Sequence, residues 1–297
     1  MSTQAATSPT TTGRGTRQRT KAGGRHGIWS ALQPAVALLS VLLLIGIPLW
    51  MVLITSAKPQ GEALNPSLTL PSEWQIWENY SQVFTDGRIT PAFFGSLFIM
   101  LPAVFVVLLL GSLAAWVLAR RATRGNAILY SLAISGIVLP PAVVTVVLLL
   151  RQIGLAGTAI GMIAVYVGMY MSTVIFFVTG FIRTISVELE EAARVDGARP
   201  IKIFGRIILP LLAPVLSTAT ILICLYVWND VFYAFFVIGG RIDTLPLNLF
   251  QVASAGLYLN NWHLIFAYVV LMSLPLLLVF MFAQRRIISG VTSGAVK

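Results

Sequence analysis

The densest group of residues that could do polar chemistry lies in one short stretch, residues 183–206. Nine charged side chains fall within it, whereas charged residues make up only 10% of the 297-residue chain. At its centre the run EAARVDG, residues 191–197, places a carboxylate beside two alanines and a glycine. Small side chains let another protein approach the backbone closely, and a carboxylate can orient that protein through an ion pair. The stretch therefore favours a docking role, with a solvated connecting loop as the alternative.

The sequence lacks the patterns of catalysis on a nucleotide or a metal. No lysine is followed by serine or threonine, so the phosphate-binding loop Gly-x-x-x-x-Gly-Lys-Ser/Thr is absent. The two histidines, His26 and His263, stand alone, and there is no His-Glu-x-x-His zinc pattern. We therefore expect no metal site and no cofactor bound by this chain. A membrane-embedded enzyme is disfavoured.

Two short helices separated by a tight turn are predicted for the charged stretch. Ser186 can cap a first helix over 187–195, whose early glutamates are favourable against the positive end of the helix dipole. Asp196 and Gly197 indicate the end of that helix, because glycine adopts the left-handed conformation without a steric penalty. Pro200 then suits the first turn of a second helix. The expected result is an exposed helix, turn and helix.

The rest of the chain is apolar enough to belong in a bilayer. Hydrophobic residues make up 57% of it, and its long uncharged runs reach the roughly 20 residues that a helix needs to cross a hydrocarbon core. The first run is too long for the core of a cleavable signal peptide. The sequence predicts an all-α membrane protein with six transmembrane helices, near 32–55, 92–119, 127–150, 158–182, 208–237 and 262–284.

The net charge of +10 is explained by topology and not by nucleic-acid binding. With the N-terminus inside, 16 of the 20 Lys and Arg residues face the cytoplasm, as expected if positive loops resist translocation. Both termini are then cytoplasmic. Residues 1–26 are basic and almost without apolar side chains, so we expect a disordered cytoplasmic tail. The transmembrane domain would occupy residues 27–297.

Prolines and polar residues stand inside the predicted spans. Pro140 and Pro141 must kink or break the third span, because proline removes a backbone donor. The break suits a wall that borders a cavity, with a static kink as the alternative. Asn229 and Asp230 lie in the fifth span, where an ionisable side chain costs about 2.5–3.5 kcal/mol at a helix centre. They should face a polar pathway or a partner subunit, unless they form a helix-packing pair. Outside the membrane, a surface helix is expected over 76–85.

The charged stretch carries a motif of seven residues in fixed spacing. It reads Glu-Ala-Ala, three residues, Gly, nine residues, Ile, one residue, Leu-Pro. This motif resembles the coupling-helix signature of the inner-membrane permeases of binding-protein-dependent ABC importers. Together with the Asp before the glycine, the matching residues are Glu191, Ala192, Ala193, Asp196, Gly197, Ile207, Leu209 and Pro210.

Further features resemble the carbohydrate branch of that family, of the maltose-permease type that ends after six spans. They are WENY at 77–80, WND at 228–230 and TLPLNLF at 244–250. One departure is Gly95-Ser96, where the family pattern would have Asn-Ser. The resemblance covers residues 32–297.

The resemblance implies a type I ABC importer permease fold in a bacterial inner membrane. Of two ATPase subunits, each would hold the coupling helices of one permease, here the cytoplasmic loop over 183–207, and the ATPases would bind ATP and Mg²⁺ themselves. A second homologous permease, making a heterodimer, and an extracytoplasmic solute-binding protein carrying a carbohydrate would complete the assembly. The alternative is a secondary carrier or channel without an ATPase, but the spans hold almost no acidic residue besides Asp230 to relay protons.

By the same resemblance, the loop between the fifth and sixth spans would reach into the binding protein. Its glycines would give flexibility, and its proline-bounded apolar tip would be exposed. The residues expected to make this contact are Asp243, Thr244, Leu245, Pro246 and Leu247. An ordinary exposed loop is the alternative interpretation.

Overall fold

Every regular element in the computed structural model is a helix, within the residues that the structure describes: 29–139, 142–254 and 260–295, with side chains described only over 32–281 inside those ranges. The all-α prediction is confirmed for these residues. Among these described residues, four helices are long and apolar enough to cross a membrane, or up to five if one bent pair of helices counts as a single span. The predicted tail over 1–26 lies outside the described residues.

The chain divides into two compact units, residues 1–48 and residues 49–297. The described part of the first unit is helical, with α1 at Trp29–Val41 followed by one π-helical turn. Helix α2, Ile47–Thr55, completes a candidate span over Leu32–Thr55 with a mean hydropathy of 2.7. This span confirms the first predicted run.

Two short helices follow, α3 at Gln60–Ala63 and α4 at Ile76–Thr85. Helix α4 has the bounds predicted for a surface helix. Asn79 in α4 is buried, and its Nδ2 donates hydrogen bonds to Ser56 O and Lys58 O at 2.9 and 3.0 Å. The asparagine of WENY therefore ties α4 to the turn that follows α2.

The most extensive helix packing joins α5, Ile89–Arg120, to α8, Ala159–Ile182. These helices confirm the second and fourth predicted spans. The 32 residues of α5 cover about 48 Å at a rise of 1.5 Å per residue. A Cβ at Gly111 would lie 2.6 Å from Val174 Cγ1, so the glycine permits the close approach of the two helices.

The third predicted span is interrupted. Helix α6 covers Arg124–Ser135 and α7 covers Val143–Gln152, and neither is long enough to span a bilayer alone. The break predicted for this run is confirmed, although Pro140 and Pro141 themselves lie outside the described residues. A turn over 136–138 ends α6 before the two prolines.

The fifth predicted span, near 208–237, is bent and interrupted and does not form one straight helix. The chain bends by 75° at Leu212, and the next helix ends two residues before Asp230. A new helix starts there because the Asp230 carboxylate accepts hydrogen bonds from Tyr233 N and Ala234 N at 3.2 and 3.0 Å. The helices between α8 and this point are α9 Glu188–Val195, α10 Pro200–Ile203, α11 Leu209–Leu211, α12 Ala213–Trp228 and α13 Phe232–Val237.

The last two helices are α14, Leu245–Ser254, and α15, Trp262–Ala295, which contains the sixth predicted run. The start of α14 is held against α5 by Ser96, whose Oγ accepts the first backbone N–H of α14 at 2.8 Å. Beside Ser96, a Cβ at Gly95 would overlap the carbonyl oxygen of Asp243. Because a backbone atom cannot rotate away as a side chain can, only glycine fits this position without a backbone shift.

We expect Gly95→Ala to destabilise the protein by about 1–3 kcal/mol, the usual cost of overpacking. Thermal unfolding of the purified protein in detergent measures the change. The matched control is Gly180→Ala in α8, where an added Cβ meets no heavy atom within 4 Å. Equal melting temperatures for the two variants would contradict the close contact with Asp243.

Candidate functional site

The EAARVDG stretch folds as a helix with a glycine stop. Helix α9 ends at Val195, and Gly197 has φ +77°, in the left-handed region that favours glycine. The N–H groups of Asp196 and Ala198 then donate to the last carbonyls of α9 at 3.0 and 2.9 Å. Pro200 starts α10 in its first turn. The predicted helix, turn and helix are confirmed.

The expected cap at Ser186 is wrong. The residue before the first turn of α9 is Val187, which has no side-chain acceptor. Its backbone carbonyl instead accepts from Glu190 N and Glu191 N at 2.9 and 3.1 Å. A short turn leading out of α8 sets this geometry, so the backbone and not a serine hydroxyl starts the helix.

Helix α9 has one face turned outward and one turned into the protein. Glu191, Ala192 and Gly197 are exposed, together with Asp196. Ala193 is packed inward and is only 9% exposed. The exposed small-residue surface of the motif is therefore made by Ala192 and Gly197, whereas Ala193 allows α9 to lie close to its own protein.

The inward face of α9 also carries Glu190, whose side chain is fully buried. Its Oε1 accepts from Arg120 Nε at 2.7 Å, and its Oε2 accepts from Trp116 Nε1 at 3.1 Å. Arg194 adds a longer ion pair at 3.7 Å. From the sequence, Glu190 was expected only to favour its helix dipole. The sequence does contain a signal for this contact. Trp116 and Arg120 are four residues apart, which puts two hydrogen-bond donors on one face at the end of a long helix.

The second half of the motif joins this loop to the membrane helices. Ile207 and Leu209 are half-buried, and Pro210 is exposed. They lie at the end of a π-helical segment, Phe204–Ile208, and in α11, just before the 75° bend. Proline removes a backbone donor, which suits a bend at this point.

The segment predicted to be an exposed outer tip is buried. Leu245 and Leu247 are 1% and 0% exposed, and Thr244 and Pro246 are buried as well. Asp243 keeps some exposed surface and makes an ion pair with Arg88 at 3.0 Å. The expectation of a flexible, exposed tip at 244–247 is therefore wrong. The apolar side chains begin α14 and pack into the core of the chain instead of extending into solvent.

Asp230 is held by hydrogen bonds beside a row of tyrosines. The Tyr166 hydroxyl donates to Asp230 Oδ2 at 2.9 Å. The rings of Tyr166 and Tyr170 stack at 6.2 Å, and those of Tyr170 and Tyr226 at 5.7 Å. Tyr170, Tyr226 and Tyr233 line a cavity of about 640 Å³, whose other lining residues come from the turn after α6, from α7 and α8 and from the turn between them. The cavity is mostly apolar, and the tyrosine hydroxyls are the polar groups that could orient a ligand.

Metal chemistry finds no support in the part of the chain that the structure describes. Within it, no group of three or more His, Cys, Asp or Glu side chains is arranged to hold a metal ion. His263 is buried near the start of α15, apart from the tyrosine row.

A family model described as "Binding-protein-dependent transport system inner membrane component" matches residues 107–293. The chain belongs to this family. The permease is 35% identical over 259 residues to the melibiose/raffinose/stachyose import permease protein MelC of Bacillus subtilis, across 84% of this chain and 91% of MelC. It is 31% identical to the diacetylchitobiose uptake system permease protein NgcG of Streptomyces coelicolor, across 90% of this chain and 88% of NgcG.

The permease also resembles a chain in the crystal structure of a bacterial ABC transporter involved in the import of the acidic polysaccharide alginate. The TM-score is 0.76 at 20% identity, and the match covers 88% of this chain and 96% of that chain. This likeness establishes the ABC importer permease fold. Together with the family match, it identifies the chain as a multi-pass permease subunit of an ABC importer.

Proposed function

We propose that this permease forms half of the pathway through which an ABC importer takes up a sugar or oligosaccharide, driven by ATPase subunits that grip its coupling loop. The observation that carries the proposal is the exposed face of α9, where Ala192 and Gly197 leave the backbone open beside Glu191. The sugar assignment is supported by the names of MelC and NgcG and by that of the trehalose transport system permease protein SugB of Mycobacterium tuberculosis, which is 30% identical.

The proposed arrangement has six spans in a bacterial inner membrane, with both termini in the cytoplasm. The broken pair α6 and α7 would make the third crossing, and α12 with α13 the fifth. This topology puts the loop over 183–207 in the cytoplasm with its five basic residues, in agreement with the positive-inside rule. A second permease would complete the pathway.

The coupling loop would be the contact with one of the two ATPases. Glu191 would pair with a basic residue in the ATPase groove, and Ala192 and Gly197 would let that groove approach the backbone. Ala193, Ile207 and Leu209 would support the loop from within, and Pro210 would set the bend that follows it. ATP and Mg²⁺ would bind to the ATPases, so this chain would have no catalytic residue and no cofactor of its own.

The outer contact would be with a solute-binding protein. A solved complex of the bacterial alginate ABC transporter contains an alginate pentasaccharide-bound periplasmic protein, and this chain matches it with a TM-score of 0.63. Because Thr244, Leu245, Pro246 and Leu247 are buried, we place the contact at Asp243 and its exposed neighbours. The sugar pathway would run past Asp230, whose carboxylate borders the tyrosine row, with Asn229 beside it.

Reconstitution tests the function as a whole. We expect liposomes that contain this permease with its partner permease and ATPases to accumulate one of melibiose, raffinose, diacetylchitobiose or trehalose. Accumulation should require both ATP and the cognate binding protein, as radiolabelled sugar uptake would measure. Uptake by this chain alone would indicate a secondary carrier or channel, and failure of every sugar in the assembled complex would contradict the carbohydrate assignment.

Ala192→Trp should block docking, because the indole ring would fill the space left for the ATPase groove. We expect the ATPase to be lost from the purified complex, while the variant inserts and melts like the parent. The measurement is co-purification with a tagged ATPase, and the control is Ala122→Trp, at an exposed alanine between α5 and α6. Retention of the ATPase by the Ala192→Trp variant would place the docking surface elsewhere.

Tyr226→Ala should slow uptake by roughly 2- to 10-fold. This is the rate change that corresponds to losing an aromatic stacking contact of about 0.5–1.5 kcal/mol. Tyr226 is 53% exposed, so little stability should be lost with its ring. The control is Leu225→Ala, the neighbouring residue of α12. The measurement is the initial rate of sugar uptake. Equal rates for the two variants would show that the tyrosine row is not part of the sugar pathway.

A further inference from the structure

We propose that Arg120 and Trp116 form, with the buried carboxylate of Glu190, a clamp that transmits the movement of the coupling helix to α5. This inference rests on the proposed function, because the movement would come from the ATPases. It assigns a positioning role to Glu190, the residue that precedes the coupling motif. The clamp is defined by these three side chains.

The clamp contains the charged contact that fixes α9 to the body of the protein. The residues of α9 that are buried are Glu190 and Ala193, and alanine offers only a methyl group. The Glu190 carboxylate uses both oxygens, toward Arg120 Nε at 2.7 Å and Trp116 Nε1 at 3.1 Å. Separating a buried carboxylate from its partners leaves a charge without compensation, so α9 and α5 should move together and not slide apart.

The end of α5 also holds the segments on both sides of α9. Arg120 Nη2 donates to Ile185 O at 3.0 Å, in the turn that leads into α9. The Trp116 ring lies 5.6 Å from the Phe204 ring, in the segment that leaves α10. Two residues one helical turn apart on α5 therefore contact the beginning, middle and end of the coupling loop. A push on α9 would reach α5 through all three contacts.

Helix α5 is a single helix that reaches the opposite side of the chain. Its last turn carries the clamp, and near its first turns Ser96 Oγ accepts the first N–H of α14 at 2.8 Å while Gly95 lies against Asp243. Helix α5 continues through Pro102 as one helix, so displacement at Arg120 would be felt at Ser96. We infer that α5 links the ATPase contact to α14 on the outer side.

The test measures a response at α14 to nucleotide in the assembled complex. Cys224 is replaced by alanine, and Ser254→Cys places a thiol at the exposed end of α14. The rate of labelling by a maleimide is measured in nanodiscs with and without Mg-ATP and vanadate. The protein with these two changes is the parent for the comparison. Nucleotide should change its labelling rate at least about fivefold, the lower end of typical coupling between sites.

Glu190→Gln keeps the size of the side chain and removes its charge. We expect the nucleotide response to fall below about twofold, while the ATPase remains bound. The matched control is Glu188→Gln, an exposed glutamate on the same helix, which should respond like the parent. If the clamp is one unit, the double variant Arg120→Gln, Glu190→Gln should lose no more of the nucleotide response than either single variant does.

The other possible outcomes contradict either the proposed function or the clamp. A parent without any response to nucleotide would contradict the proposed function itself. A responsive parent together with a fully responsive Glu190→Gln variant would overturn the clamp, as would loss of the ATPase from that variant. If Glu190→Gln does not fold, Trp116→Phe decides, because it keeps the ion pair and removes one hydrogen bond. A response equal to that of the parent would then overturn the clamp.

Discussion

In the hydrocarbon core each backbone N–H and C=O must find a partner within the protein, and this requirement shapes the whole chain. Helices α5 and α8 satisfy most of it with their own backbone hydrogen bonds, although Pro102 in α5 has no N–H to donate. Where a helix stops, a neighbour supplies the missing partner: the Asp230 carboxylate accepts two N–H groups at the start of α13, and Ser96 accepts the first N–H of α14. At these two helix starts polar side chains complete the backbone, whereas α7 and α12 begin without a side-chain cap.

The same requirement makes one residue serve two purposes in the middle of the chain. Asp230 begins α13 and at the same time accepts the Tyr166 hydroxyl next to the cavity. A carboxylate with several donors is stable at a depth where an unpaired one would be costly. A packing role and a pathway role, which are alternatives at the level of sequence, are therefore compatible at this position.

The coupling motif combines an outer and an inner function. Glu191, Ala192 and Gly197 are exposed on α9, whereas Ala193 and the preceding Glu190 face inward. Small residues serve both purposes, since they let a partner approach on one side and let α9 approach its own protein on the other. A motif read only as a docking surface thus also contains the attachment of the coupling helix to the chain.

Local chemistry determined much of this protein from its sequence. The apolar runs predicted α5, α8 and α15, the glycine and proline of the coupling loop predicted the end of α9 and the start of α10, and the seven-residue motif indicated the family. These signals need only neighbours along the chain. Tertiary structure decided what depends on distant residues: Glu190 paired with Arg120, 70 positions away, and Gly95 beneath Asp243. Tertiary structure also decided that Leu245 and Leu247 are buried, because the fold brings other apolar side chains against them and burying apolar surface is favourable.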